Sequence, residues 1–323
     1  MAIRWGIIGC GDVAKKRVAG AIQSDANSEL VAVCRRDETK LRIFAEEFGV
    51  SVATTSASEV ISSPDIDAVY IATPVNLHCP QTVAAAAAGK HVLVEKPMAM
   101  STAECNKMIA ACDTADVRLG VAYYRPFYPV VHRMQELVQS SEIGKVLSVS
   151  ATTCTPFSID PGEDGYWRVL PEAGGGGALM DIGSHRLDLF LRMFGAVSDV
   201  KSQCSTVVAS YQADDVSTLA LRFESGIHGL LHCCFGSSTD PDEFAILGTK
   251  GRLVSRPLNG GELIIEHGRE QVIEQHPPAS NFNSPLIADF SAAILESRRP
   301  LVSGEAGRDV NLVMEQAYAG SQK

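Results

Sequence analysis

Apolar residues near the start of the chain, Trp5, Ile7 and Ile8, lead up to a break at Gly9-Cys10-Gly11-Asp12-Val13-Ala14, and a stretch of helical spacing follows. A short apolar stretch ahead of a turn reads as a buried strand. The alternation then repeats. Residues 29–34, 67–73, 91–97 and 117–123 read as strands, and 38–48, 81–89 and 101–113 as helices. Gly49 and Gly89 stop two of these helices, and Ser101 with Glu104 three positions on gives a third a capping box. Strands alternating with helices of this length predict right-handed βαβ units and a parallel sheet.

The texture changes near residue 122. A helix is predicted over 126–139, a strand near 145–154, and a helix at about 178–193 opened by a Pro- and Gly-rich loop. Seven β-like stretches follow between 200 and 275, beginning with VKSQCSTVVAS. Short turns at 224–226 and 249–251 predict hairpins, hence an antiparallel sheet. Helices over 284–300 and near 308–319 end the pattern.

With 323 residues the chain has room for about two domains. Its formal net charge of −10 argues against nucleic acid or an anionic membrane as partner. No apolar stretch approaches the roughly 20 residues a membrane span needs. Met1 leads straight into the first strand without a basic leader, so a cytoplasmic protein is expected. The nine cysteines show no C-x-x-C pair. They read as small core residues in a reducing compartment, and no metal site is expected. Adjacent Cys233 and Cys234 would face opposite sides of a strand.

Three stretches carry candidate chemistry. In the opening G-x-G-x-x-A loop, Gly9 permits a tight turn, Gly11 lets backbone approach a phosphate, and Ala14 allows close helix–strand packing. The helix that follows would turn free N–H groups and its positive dipole end toward an anion. The loop follows the first strand of a βαβ pattern, where a dinucleotide site belongs. The second predicted strand ends in Arg35-Arg36-Asp37. Two guanidinium groups there suit a 2′-phosphate, which favours NADP(H), with NAD(H) the alternative if Asp37 faces the ribose instead.

The second stretch is Glu95-Lys96-Pro97 at a strand's carboxyl end, where open α/β sheets bind ligands. A lone lysine in that place also reads as a snorkelling surface residue. The third is GGGGALMDIGSH, 174–185. Its glycines let backbone approach something closely. Asp181 and His185 are four apart, on one helix face, where a carboxylate can fix a tautomer and raise basicity. A plain surface Asp–His pair is the competing reading.

Taken together, the Gly9–Ala14 loop, Glu95-Lys96-Pro97 and the glycine run leading to Asp181 and His185 resemble the glucose–fructose oxidoreductase / inositol 2-dehydrogenase (Gfo/Idh/MocA) family. The resemblance spans essentially the whole chain, in order. It implies an α/β fold: an N-terminal Rossmann parallel sheet over 1–122 and a C-terminal α+β domain over 123–323, built on a large, mostly antiparallel sheet. Such a sheet often joins subunits, so a homodimer or homotetramer is expected. The resemblance further implies that Lys96, Asp181 and His185 are catalytic. Lys96 would lie beside nicotinamide and the reacting oxygen, Asp181 would orient substrate, and His185 would carry the proton, although the Lys/His division varies among members. A cis Lys96–Pro97 bond is expected on the same ground. Thr73-Pro74-x-Asn76-x-His78 is similar to the loop along the cofactor, and Arg125, with Tyr124, and Trp167-Arg168 are similar to stretches lining the cleft. The implied activity is hydride transfer between nicotinamide and a secondary alcohol or carbonyl of a sugar, polyol or diol. The rivals are an NAD-dependent glycoside hydrolase of the same fold family and a non-catalytic dinucleotide sensor.

Overall fold

The computed structural model describes residues 2–321. In chain order the elements begin β1 (Ile3–Ile8), α1 (Ala19–Ser24), β2 (Ser28–Cys34), α2 (Glu38–Phe48), β3 (Val52–Thr54) and α3 (Ala57–Ser62). They continue β4 (Ala68–Ile71), α4 (His78–Ala87), β5 (His91–Val94), α5 (Thr102–Thr114), β6 (Leu119–Val121), α6 (Pro129–Gln139) and β7 (Val146–Cys154). Next are α7 (Pro171–Gly174), α8 (Ser184–Phe194), β8 (Val197–Ser205), β9 (Val216–Phe223), β10 (His228–Cys234) and β11 (Asp242–Gly248). The last are β12 (Arg252–Ser255), β13 (Glu262–His267), β14 (Glu270–Gln275), α9 (Ser284–Leu295) and α10 (Gly304–Ser321).

Two sheets organise these elements. One is six-stranded in the order β3-β2-β1-β4-β5-β6, parallel at every pairing. The chain reverses its direction of travel across this sheet between β1 and β4, the switch point of a doubly wound fold. The other is eight-stranded, β14-β13-β12-β11-β7-β10-β9-β8, antiparallel except where β7 meets β10. The predicted fold class is therefore observed.

Local rules explain most boundaries. Asp37 accepts the N–H of Lys40 at 2.9 Å and starts α2, and Gly49 ends it in the left-handed region. Ser101 Oγ accepts the N–H of Glu104, whose carboxylate reaches back to the N–H of Met100, so the capping box closes one residue early. β3 and α3 carry too few apolar residues to announce themselves and were not expected from the sequence. The stretch Val207–Ser210, expected as a continuation of β8, is instead a loop. Three of its N–H groups, those of Val207, Val208 and Ala209, donate to the buried Asp215 carboxylate. These bonds replace a strand ladder.

The chain divides into two compact units: Met1–Tyr124 with Ala279–Arg308, and Arg125–Pro278 with Asp309–Lys323. This differs from the expected division into 1–122 and 123–323. Residues 279–308 group with the parallel sheet because α9 packs on it. Phe290 rests against Trp5 with ring centroids 5.6 Å apart, and a Cβ at Gly120 would strike the Phe290 ring. Ser28 Oγ lies 2.8 Å from Ser291 Oγ, and Asn281 Nδ2 donates to the Arg17 carbonyl. Trp5 is fully buried by this cover.

Candidate functional site

In the first unit the sequence places its glycine loop at the carboxyl end of β1. Gly9 has a φ of +98°, and a side chain there would meet the backbone of Ala72 and Thr73. Gly11 differs: no atom lies within 4 Å of the place its Cβ would occupy. Protein packing gives no reason for a glycine at that position, whereas a ligand approaching the loop does. The N–H groups of Cys10 and Gly11 are used internally, donating to Cys34 and Gly9 carbonyls. An anion would therefore face the first turn of the next helix, at Asp12, Val13 and Ala14, where backbone donors lack an intrahelical partner. That helix is not regular, since Ala14–Val18 form a π-turn ahead of α1. Cys10 itself is a core residue, its thiol pushed up to about 12 by burial.

Arg35 lies across this loop, its Nη1 donating to the Cys10 carbonyl oxygen. Arg36 is exposed. Asp37 is occupied as the α2 cap, which leaves guanidinium groups as the charged side chains at the end of β2. A dinucleotide fits this part of the chain: an open glycine, a helix N-terminus and an arginine over the loop.

Beyond β4, Thr73 Oγ1 donates to Gln81, and Pro74 and Asn76 lie in or beside a short 3₁₀ turn, Val75–Leu77. His78 was expected along the cofactor, yet it is 1% exposed. Its Nε2 lies 2.9 Å from the Thr73 carbonyl oxygen, and its Nδ1 lies 3.1 Å from that of Pro97. Burial brings the imidazole down to about 4, so the ring is neutral at pH 7. A neutral ring has one N–H and so donates to one of these carbonyls only, and the imidazole is buried between the Thr73 loop and the Lys96–Pro97 turn in place of reaching outward. The Lys96–Pro97 bond is cis, as the resemblance implied.

Behind Lys96, Glu95 belongs to a polar group whose other members, Arg17, Tyr70 and Asn283, sequence reasoning missed. Tyr70 donates to Glu95 Oε1 at 2.6 Å, and Asn283 Nδ2 lies 3.5 Å from the Tyr70 oxygen. The Arg17 guanidinium stacks over Tyr124 at 5.1 Å and Phe282 at 5.3 Å. It also acts electrostatically on Glu95 and Tyr70. Nothing in the linear sequence ties residues 17, 70, 95 and 283 together.

The second unit carries the glycine-rich motif. Asp181 sits in a π-turn, Leu179–Gly183, that runs into α8, with His185 at its second residue. The expected α-helical spacing is thus a wider turn, a form that recurs at functional positions. His185 is buried and Asp181 half-buried. Arg168 Nε lies 3.9 Å from Asp181 Oδ2, and its guanidinium lies 5.6 Å from the centre of the Trp167 ring. The structure therefore brings Trp167, Arg168 and Asp181 together.

The glycines themselves answer to protein, not to a ligand. A side chain at Gly177 would overlap the Asp214 carbonyl, and one at Gly176 the Tyr318 hydroxyl. Asp214 is buried and accepts from Gly177 N at 2.8 Å, Leu179 N at 3.0 Å, Ser217 Oγ at 2.7 Å and Tyr318 OH at 2.7 Å. It caps the turn that carries Asp181. Three residues past His185, Asp188 is fully buried with Arg192 3.6 Å away. Arg125, expected near the cofactor, belongs to this second unit and is buried, acting electrostatically on Asp188. Burial pushes the Asp188 carboxyl up to about 6, against the pull of Arg192 and Arg125.

A Rossmann-type unit with an open glycine loop, joined to a unit with a carboxylate and imidazole on one turn, defines an oxidoreductase architecture. Sequence comparison identifies it further. Residues 3–123 match the model for the oxidoreductase family with NAD-binding Rossmann fold, and 131–254 match the GFO/IDH/MocA C-terminal domain. The chain belongs to the Gfo/Idh/MocA family of oxidoreductases. It is 37% identical to Oxidoreductase P35 of Formosa agariphila over 254 residues, 78% of either chain. It is 30% identical to 1,5-anhydro-D-fructose reductase of Ensifer adhaerens, covering 94% of this chain and 92% of that one. D-xylose 1-dehydrogenase (NADP(+)) 2 of Haloferax volcanii is 29% identical, with 98% of each chain covered. The aldose-aldose oxidoreductase of Caulobacter crescentus, complexed with glycerol, superposes with a TM-score of 0.91 at 28% identity, covering 100% and 98% of the two chains. Levoglucosan dehydrogenase in complex with NADH and levoglucosan gives 0.91 at 25% identity, covering 100% and 98%. No described helix is long and apolar enough to cross a membrane.

Proposed function

We propose that this enzyme transfers hydride between nicotinamide and a secondary alcohol or carbonyl of a sugar, polyol or diol, with NADP(H) preferred over NAD(H). The observation that carries the reading is the Asp181 carboxylate beside Arg168 on the turn that leads into His185, in a chain of this family. Relatives named for anhydrofructose, xylose and levoglucosan support the substrate class. Arg35 over the glycine loop supports NADP(H).

The bound dinucleotide supplies the hydride acceptor or donor at nicotinamide. In the oxidation direction His185 takes the hydroxyl proton as the carbon loses hydride. Lys96, as ammonium, stabilises the alkoxide-like oxygen, an effect that is large where water is excluded. Asp181 holds His185 and a substrate hydroxyl. Gly9–Ala14, Thr73, Pro74 and Asn76 would hold the cofactor, His78 and Glu95 brace its loops, and Pro97 and Trp167 would complete the surroundings. A homo-oligomer belongs to this reading. On one face of the antiparallel sheet Leu230 is 53% and Leu247 44% exposed, more apolar surface than solvent favours. Light scattering after gel filtration checks the assembly.

The test is a panel of neutral sugars and diols read by NADPH formation, with Lys96→Ala and His185→Ala. Each variant is expected to lose at least about 10²-fold in kcat while binding cofactor normally. Full turnover in either one removes that residue from the mechanism.

A further inference from the structure

The second unit holds a cavity of about 500 Å³, apart from the residues given roles above. That size lies within the range of small-molecule sites, roughly 300–1,000 Å³. Its wall is an aromatic cluster centred on Phe157, whose ring lies 5.2 Å from Phe235, 5.7 Å from Tyr211 and 6.5 Å from Tyr166. Ser158, Ser210, Ser237 and Ser238 also line it. Two carboxylates complete the lining, Asp160 and Asp215. Among the described residues no lysine, arginine or histidine lines it.

That inventory discriminates between ligand classes. A phosphate or carboxylate would face acceptors and two like charges with no cation, which costs free energy. A cation would find rings, but the rings pack on each other and the Asp215 oxygens already accept three backbone N–H groups. What remains is a neutral, many-hydroxyl ligand. Ring faces cover its C–H surfaces, and serine and tyrosine hydroxyls both donate and accept. We infer that this cavity is a subsite for a neutral saccharide unit, and that it discriminates against phosphorylated and uronate sugars.

The wall is also tied to the turn described above. Asp215 pins the Val207–Ala209 stretch that borders the cavity, and the preceding residue, Asp214, caps the turn carrying Asp181. Tyr166 directly precedes Trp167 and Arg168. A sugar seated here would act through two adjacent residues on the position of that turn.

Saturation-transfer NMR and calorimetry on the full chain without cofactor test the inference. The probes are methyl α-D-glucoside and cellobiose, glucose 6-phosphate and glucuronate, and choline. The neutral probes are expected to bind, the anionic ones at least tenfold more weakly, and choline not at all. Tyr211→Ala should weaken the neutral probes tenfold or more. Ser210→Arg, on an exposed loop position, should narrow the gap between glucuronate and the neutral probes. Equal binding of neutral and anionic sugars, a preference for choline, or binding unchanged by both substitutions overturns the assignment. The outcome is independent of hydride transfer: Tyr211 and Ser210 have no part in the catalytic reading, so a failure of that reading leaves this result standing and distinguishable.

Discussion

The Tyr70 phenol donates to one oxygen of Glu95 at 2.6 Å, and the other oxygen of that carboxyl accepts the backbone N–H of Lys96 at 3.1 Å. A buried tyrosine thereby fixes the peptide that presents the lysine. Burial raises both the phenol and the carboxyl above their ordinary ranges. Tyr70→Phe keeps the ring and removes the donor. The expected cost is about 1–3 kcal/mol in urea unfolding, with turnover falling as Lys96 loses its anchor. Unchanged turnover would detach Glu95 from Lys96 placement.

Asp188 gives a pH signature. Its carboxyl sits at about 6 because burial penalises its charge. An unfolded aspartate titrates near about 3.9. The folded state holds the proton more tightly, so this contribution is complete below about pH 4 and disappears as pH rises through about 6. Asp188→Asn does not titrate. Relative to it, the parent should lose roughly 2 kcal/mol between pH 4 and 7 in unfolding experiments. A constant difference across that range would place the carboxyl in its ordinary range.

Asp214 gathers four donors, and its removal leaves them buried without an acceptor. Asp214→Ala should destabilise the chain by at least about 3 kcal/mol, since each orphaned donor costs about 1–3 kcal/mol. Gly177→Ala should do comparable harm by steric overlap alone. Chemical denaturation of both variants checks this, and near-parent stability of Gly177→Ala would contradict the close approach.

Arg35 is the test of cofactor choice. Arg35→Ala is expected to weaken NADP⁺ about tenfold or more, the loss of one charge-assisted contact, and to leave NAD⁺ nearly unaffected. Thermal shift with each dinucleotide reads the ratio. An equal effect on both would assign Arg35 to bracing the Cys10 loop only.

Phe290 covers Trp5 from a segment far away in sequence. Phe290→Ala should cost about 3–5 kcal/mol and shift tryptophan emission to the red. By the same packing, a fragment ending at Tyr124 should not fold unless 279–308 is supplied, which limited proteolysis with mass spectrometry can follow.

The sequence by itself determined what rests on local pattern. The alternation of strands and helices through 123, the caps at Asp37 and Ser101, the hairpins at 224–226 and 249–251, and the glycine loop at the end of β1 all follow from spacing and turn chemistry a few residues wide. The tertiary structure decided whatever needed two distant segments. It placed α9 on the parallel sheet, joined Tyr70 to Glu95, sealed His78 between two loops, and set Asp214 and Tyr318 against Gly176 and Gly177. A glycine in a sequence reports that something comes close. Only the folded chain shows whether that something is the protein's own backbone, as at Gly177, or whether the space is left open, as at Gly11, because close approach is a property of space and not of spacing along the chain.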